Sequence, residues 1–206
     1  MQKIDAALSR SNKIPIGEGV IVTEIMSDSP AAESELQELD VLLELDGIKV
    51  TSPKNLQAIV EKLKVDTTYQ ITVLRDGRRR KFDMTVRPLP ENYSLLGTTP
   101  RRTKSEKPQN ESFDDLGLEL AELTPEIQKQ LNLKDVRGVL VRSVKVNSPA
   151  QIAGIRTSDI IEKVGSTRVT SPKEFREAIK KSSLSDGIQL LVRDQGGKRV
   201  VVIEAE

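Results

Sequence analysis

The pentapeptide VTSPK stands at residues 50–54 and again at residues 169–173 of a 206-residue chain. Sliding the chain against itself by 119 residues, the distance from Val50 to Val169, brings further segments together without a gap. Gly19-Val20 and Val22 fall on Gly138-Val139 and Val141. Ser29-Pro30-Ala31 falls on Ser148-Pro149-Ala150, and Asp40 on Asp159. Between these anchors apolar positions match: Ile25 with Val144, Leu36 with Ile155, Val41-Leu42 with Ile160-Ile161. A constant register over this distance indicates duplication, and its period is too long for a solenoid.

Each copy reads as the same series of elements. GVIVTEI and GVLVRSV are apolar and β-rich. Ser29-Pro30 and Ser148-Pro149 pair a helix cap with proline in the first turn. DVLLELDG and DIIEKVG are strands entering tight turns. VTSPK then makes a strand-to-helix corner, in which Ser52 or Ser171 caps a helix opened by Pro53 or Pro172. Glu174, three residues after Ser171, completes a capping box. Helical spacing predicts buried Leu56, Ile59, Val60 and Leu63 in the first copy, and Phe175, Ala178 and Ile179 in the second. Two strands close each copy, joined at Asp76-Gly77 and at Gly196-Gly197. The run Arg78-Arg79-Arg80-Lys81 fits a solvated hairpin edge better than an anion site.

Composition narrows the function. The net charge is +1 and the aromatic residues are two Tyr and three Phe, so nothing argues for a nucleic-acid partner. No apolar run approaches a membrane span. The chain has no Cys and no His. Thiol nucleophiles, disulfides, Ser-His-Asp triads and His- or Cys-ligated metals are excluded. A Ser-Lys pair such as Ser171 with Lys173 remains, but that serine is a helix cap and that lysine lies in a first helical turn, where an exposed amine is no base. The expectation is a non-enzymatic chain without cofactor or metal.

The ordered set GVLVRSV, NSPA, AGI, SDIIEKV and VTSPKEF, followed by two strands, resembles a PDZ domain of the bacterial, circularly permuted type. DLGLELAELTPEIQKQLNL upstream is similar to the start of the PDZ domains of HtrA/Deg serine proteases. The resemblance implies a mixed α+β fold of two PDZ-like domains, each a small antiparallel β-sandwich or partly open barrel with two capping helices. Domain 1 is placed at residues 1–90, a Pro/Ser/Thr/Lys-rich linker at 91–112, and domain 2 at 113–206. Tyr93 and Leu95-Leu96 in the linker are candidates to dock on a domain. Ahead of KIDAALSR nothing corresponds to the carboxylate loop and its strand. Domain 1 is therefore expected to lack them: either the chain is cut from a longer protein, or this domain lacks a standard groove. Where the family has Gly before the aspartate, these copies have Leu39 and Ser158. The first copy also has Glu35 where the second keeps Gly154.

Such domains bind peptides by adding a strand to a sheet edge beside a helix. The resemblance places a carboxylate-capturing loop at Asp115-Leu116-Gly117-Leu118 and the receiving strand at Leu118-Glu119-Leu120. It makes Arg176 and Ile179 the groove-facing helix pair, with Phe175 and Ala178 in the core. Gln57 and Val60 are the counterparts in the first copy. The alternation of Leu116, Leu118 and Leu120 by itself requires only a half-buried strand. Two functions stay open. One is the substrate-recognition or regulatory region of an HtrA-like protease, acting in periplasmic or cell-envelope protein quality control. The other is a free-standing two-PDZ scaffold. Expected partners are protein C-terminal peptides or unfolded substrates, with no membrane insertion, and with oligomers only through regions absent here.

Overall fold

Both VTSPK copies form the predicted corner. In a computed structural model, Val50 N–H donates to the Leu43 carbonyl (2.8 Å) and Val169 N–H to that of Glu162 (3.1 Å). The Ser52 and Ser171 hydroxyls accept from the amides of Asn55 (3.1 Å) and Glu174 (3.2 Å). Helices α3 (Pro53–Val60) and α6 (Pro172–Lys180) follow, each with proline in the first turn. The capping box departs from expectation. Glu174 Oε2 accepts from the N–H of Thr170 (2.7 Å) and from its hydroxyl (2.8 Å), one residue earlier than predicted. Asn55 Oδ1 does the same for Thr51 N–H (3.0 Å). The side chain at the third helical position thus ties down the residue before the cap.

The structure describes residues 1–26, 29–87, 110–130, 133, 136–182, 187–194 and 196–204. The chain divides into two compact units, Met1–Thr98 and Thr99–Glu206. Tyr93, Leu95 and Leu96 lie outside the described residues.

The first unit contains β1 (Gln2–Lys3), α1 (Ala6–Asn12), β2 (Val20–Ile21), α2 (Pro30–Glu33), β3 (Val41–Leu45), β4 (Ile48–Lys49), α3, β5 (Thr67–Arg75) and β6 (Arg78–Val86). Its antiparallel sheet runs β1-β2-β3-β5-β6, with β4 beside β3. Val20, Val22, Leu42, Leu45, Leu56, Ile59, Ile71 and Val73 form the buried core. The second unit contains β7 (Asn110–Phe113), β8 (Leu118–Glu122), α4 (Pro125–Gln130), β9 (Val139–Val144), α5 (Pro149–Ile152), β10 (Ile160–Val164), β11 (Thr167–Arg168), α6, β12 (Ile188–Asp194) and β13 (Gly197–Ile203). The order is β13-β12-β10-β9-β8-β7, again antiparallel, with β11 beside β10. Its core gathers Leu116, Leu118, Leu120, Val139, Val141, Ile161, Phe175, Ala178, Leu190 and Val192. The α+β expectation of two antiparallel sheets with short helices is met. Among the described residues each unit carries three short helices rather than two, because the Ser-Pro caps each nucleate a separate single turn.

The 119-residue offset extends through the ladders. Val20↔Leu42 repeats as Val139↔Ile161 in its strand pairing, since Ile161 opposes Val139 and Leu42 opposes Val20. The β3–β5 register shifts between Leu42 and Glu44, and the β10–β12 register between Ile161 and Lys163. Asp46 N–H donates to Gln70 O (2.7 Å) as Gly165 N–H does to Gln189 O (2.8 Å). Gln2↔Ile21 and Lys3↔Val20 repeat Ala121↔Leu140 and Glu122↔Val139. β1 therefore takes the place of the last two residues of β8, in the strand that sequence reading left unfilled.

Two hairpins close the units. Asp76 (φ 50°) and Gly77 (φ 73°) make a two-residue turn with both residues left-handed, the geometry that matches strand twist. In the second unit Asp194 pairs with Gly197, so Gly197 belongs to the strand rather than to the turn expected at Gly196-Gly197. Arg78, Arg79, Arg80 and Lys81 are exposed on edge strand β6. Among the described residues no helix is long and apolar enough to cross a membrane.

Candidate peptide-binding site

Gly117 sits at the centre of the second unit's loop and its side of the backbone is filled. With φ at 70°, a Cβ added there would lie 2.2 Å from the Ser148 Cβ and 2.6 Å from its hydroxyl. Ser148 is fixed in turn, because its hydroxyl accepts from Gln151 N–H (3.3 Å) as the cap of α5. Gly117 O accepts from Lys145 N–H (2.8 Å) and Leu116 O from Ala150 N–H (3.1 Å). These bonds lock the loop to the β9–α5 corner. Leu116, Leu118 and Leu120 are all buried in the core, while Glu119 is half-buried and its carboxylate accepts from the Ser143 hydroxyl (3.0 Å).

β8 pairs with β9 on one side. On its other side lies β7, antiparallel, with Asn110↔Ala121, Glu111↔Leu120, Ser112↔Glu119 and Phe113↔Leu118. Residues 110–112, which sequence reading assigned to the linker, take part in this pairing. The Phe113 carbonyl accepts from both Leu116 N–H (3.1 Å) and Gly117 N–H (2.9 Å). Two amides of the expected carboxylate loop are thus already engaged.

α6 lies beside this edge. Phe175 and Ala178 point into the core, as helical spacing predicts, and Ile179 is half-buried against it. The Phe113 ring meets Phe175 edge-on, with centroids 4.9 Å apart and planes at 83°. The Arg176 guanidinium stands 5.1 Å from the Phe113 centroid and makes an ion pair with Glu111. Glu111 and Phe113 share one face of β7, as residues two apart on a strand must. The structure therefore brings Leu118, Glu119, Leu120, Gly117, Leu116 and Arg176 around β7.

In the first unit α3 presents exposed Gln57 and Val60 at the corresponding positions, Val60 at 41% exposure. Leu56 and Ile59 are buried and Leu63 half-buried, so Val60 departs from the predicted core face. Lys173 is exposed, and the Ser171 hydroxyl serves as the cap of α6. β7 was the part of the site that sequence reading missed. Its only signal was Phe113 two residues after Glu111, in a stretch otherwise rich in Pro, Ser and Lys.

A sheet edge, a glycine loop and a flanking helix define a class of strand-adding peptide-recognition modules. The PDZ domain family matches the chain at residues 4–86 and 114–203, and the chain belongs to that family. It is 29% identical over 196 residues to the "Probable periplasmic serine endoprotease DegP-like" of Pseudomonas putida strain W619, a match covering 95% of this chain and 40% of that protein. The protein of the same description from Pseudomonas fluorescens is 31% identical, again over 95% of this chain and 40% of its own length. That of Chlamydia trachomatis is 27% identical over the whole chain and 38% of the relative. The chain thus spans about two-fifths of the length of these relatives. No catalytic domain is evident in the matched regions, which are PDZ domains. Similar solved structures include the HtrA3 PDZ domain bound to a phage-derived ligand (FGRWV), at 27% identity and a TM-score of 0.39, covering 48% of this chain and 89% of that one. Another is the HtrA-type protease AlgW with decapeptide, at 25% identity and a TM-score of 0.40, covering 43% and 27%.

Proposed function

We propose that the second unit captures exposed hydrophobic C-termini by strand addition, as the substrate-recognition or regulatory region of an HtrA/Deg-like serine protease of the periplasm. One observation carries the reading: the β8 edge takes an antiparallel strand whose final carbonyl is held by the amides of Leu116 and Gly117. A peptide C-terminus would meet the same donors with a full negative charge, which strengthens each such bond roughly twofold. Backbone pairing supplies affinity that tolerates sequence. The place beside Phe175 and Arg176 that the Phe113 ring now fills would take the last side chain. Membership of the PDZ family and the longer, periplasmic description of the relatives support the setting.

The first unit is read from its helix, on which Gln57 and Val60 are exposed at the positions that correspond to Arg176 and Ile179. Its role is that of a spacer or a second docking surface within the same region.

The test is a titration of the full chain with peptides ending in Val, Leu or Phe, each as free acid and as amide. Binding that requires the free carboxylate is the expected result. Equal binding of both forms, or none, would remove C-terminal capture. Replacing Gly117 is a poor probe of the loop, since the Ser148 clash would disturb the fold itself. Arg176→Ala, at an exposed helix position, tests the groove without that confusion.

A further inference from the structure

We infer that Asn110–Phe113 is a ligand in cis: the groove of the second unit is self-occupied, and an incoming peptide binds by displacing β7. The inference rests on the peptide-capture reading above and adds its regulation.

Polarity comes first. A peptide whose C-terminus reaches the Gly117 loop must run antiparallel to β8, with its last residue opposite the start of that strand. β7 does so, its last residue Phe113 lying opposite Leu118. Its carbonyl takes the Leu116 and Gly117 amides that a carboxylate would need. Its aromatic ring covers Phe175, and its acidic side chain two residues earlier holds Arg176. The loop amides, Phe175 and Arg176, all proposed to read a ligand, are engaged by the chain itself.

Strength comes next. β7 has four residues and pairs on one side only, as the outermost strand of its sheet. Glu111 and Phe113 are half-buried and Ser112 is exposed. Strands of this kind open locally at low free energy. Against this, β7 is joined to β8 by a short turn of Asp114, Asp115, Leu116 and Gly117, which has the αL glycine such a turn needs. Tethering of this sort gives an effective concentration of about millimolar or above. A weak segment therefore competes well with free peptides at micromolar concentration, but yields to a ligand that adds a carboxylate and a longer pairing stretch. A segment docked nine-tenths of the time raises the apparent Kd about tenfold.

The occupant also indicates the probe. A free-acid peptide ending in Glu-Ser-Phe repeats its pattern. It should be titrated into the full chain and into the double variant Glu111→Ala, Phe113→Ala, which alters neither β8 nor α6. The expected result is an apparent Kd about tenfold lower in the variant. Amide exchange on the unaltered protein gives a second reading that needs no substitution. Saturating peptide should abolish protection at residues 110–113 while β9 and β10 stay protected. Equal affinity in both proteins, or unchanged β7 protection with peptide bound, overturns self-occupancy and leaves peptide capture standing. Absence of binding to either protein overturns both. A variant that fails to fold still leaves the exchange experiment to decide.

Discussion

Each unit brings an arginine to its buried aspartate, but from non-corresponding strands. In the first, Arg75 at the end of β5 bonds Asp40 through Nε and Nη2 (both 2.7 Å) and the Glu35 carbonyl (2.6 Å). In the second, Arg199 on β13 bonds Asp159 (2.6 Å) and the Gly154 carbonyl (3.0 Å). Residues 35 and 154, like 40 and 159, are repeat counterparts; 75 and 199 are not. The aspartate is the fixed part. Its carboxylate also accepts from Gln37 N–H (2.8 Å) or Arg156 N–H (3.0 Å), bracing the turn into the central strand. A buried carboxylate needs a cation, but any long side chain that reaches will do. The helices beside the edges differ in the same way: α6 presents Arg176, paired with Glu111, where α3 presents an exposed Gln57. A shared scaffold thus leaves the surface free to diverge.

The largest effect should come from Gly117, where the second unit has a crowded left-handed glycine. Gly117→Ala drives a Cβ into Ser148 and fixes an unfavourable φ. The expected cost is about 3 kcal/mol or more. Gly17 in the first unit has a similar φ, 80°, with nothing within 4 Å of an added Cβ. Gly17→Ala should cost only about 1 kcal/mol. Urea unfolding of the full chain, followed by amide exchange in β3 and β10, reads each unit separately. Similar losses for the two variants would mean that the Ser148 contact relaxes at no cost.

Next in size are the buried aspartates. Asp40 is 1% exposed and Arg75 11%, whereas Arg199 is 28% exposed. In the second unit burial also pushes the Asp159 carboxyl above its ordinary value, against the pull of the Arg156 amide and of Arg199. Its ion pair therefore offsets less of the burial cost. Asp40→Ala should destabilise its unit by about 3 kcal/mol and Asp159→Ala by about 2 kcal/mol. The same unit-resolved unfolding checks this, and a reversed order would mean that solvent access to Arg199 counts for little. Arg80→Ala, at the repeat counterpart of Arg199, should change stability by under about 0.5 kcal/mol, since Arg80 is exposed.

Much of the scaffold was legible because each local choice has one chemical purpose. Serine before proline makes a capped first turn, Asp-Gly makes a tight hairpin, and Leu118 and Leu120 two apart make a strand with a buried face. What escaped was set by contacts distant in sequence. Asn-Glu-Ser-Phe carries too little apolar character to read as a strand, and only the β8 edge and the Phe175 face give it one. The sequence likewise shows Asp40 and Asp159 without showing which of many arginines reaches them. The resemblance, rather than helical spacing, singled out Arg176 and Ile179 on α6, and the engagement of Arg176 by β7 was legible from neither.

The smallest effect concerns the residues before those aspartates. Leu39 (φ 79°) and Ser158 (φ 73°) occupy the left-handed region, and their amides donate to Val22 O and Val141 O (2.8 Å each). The turn therefore holds them there although neither is glycine. Glu35, by contrast, is not left-handed, while its counterpart Gly154 has φ 84°; that part of the turn has adapted to its side chain. The backbone penalty at Leu39 and Ser158 is about 1 kcal/mol each. Ser158→Gly, at an exposed position, should recover most of it. Leu39→Gly should recover less, because the half-buried leucine side chain gives up packing. The looser unfolded chain that glycine brings reduces both gains. A rise in the midpoint of the second unit that exceeds that of the first is the expected outcome. A loss in both units would show that the hydrogen-bonded turn relieves the left-handed strain by itself, and that glycine at these positions has no energetic advantage in this fold.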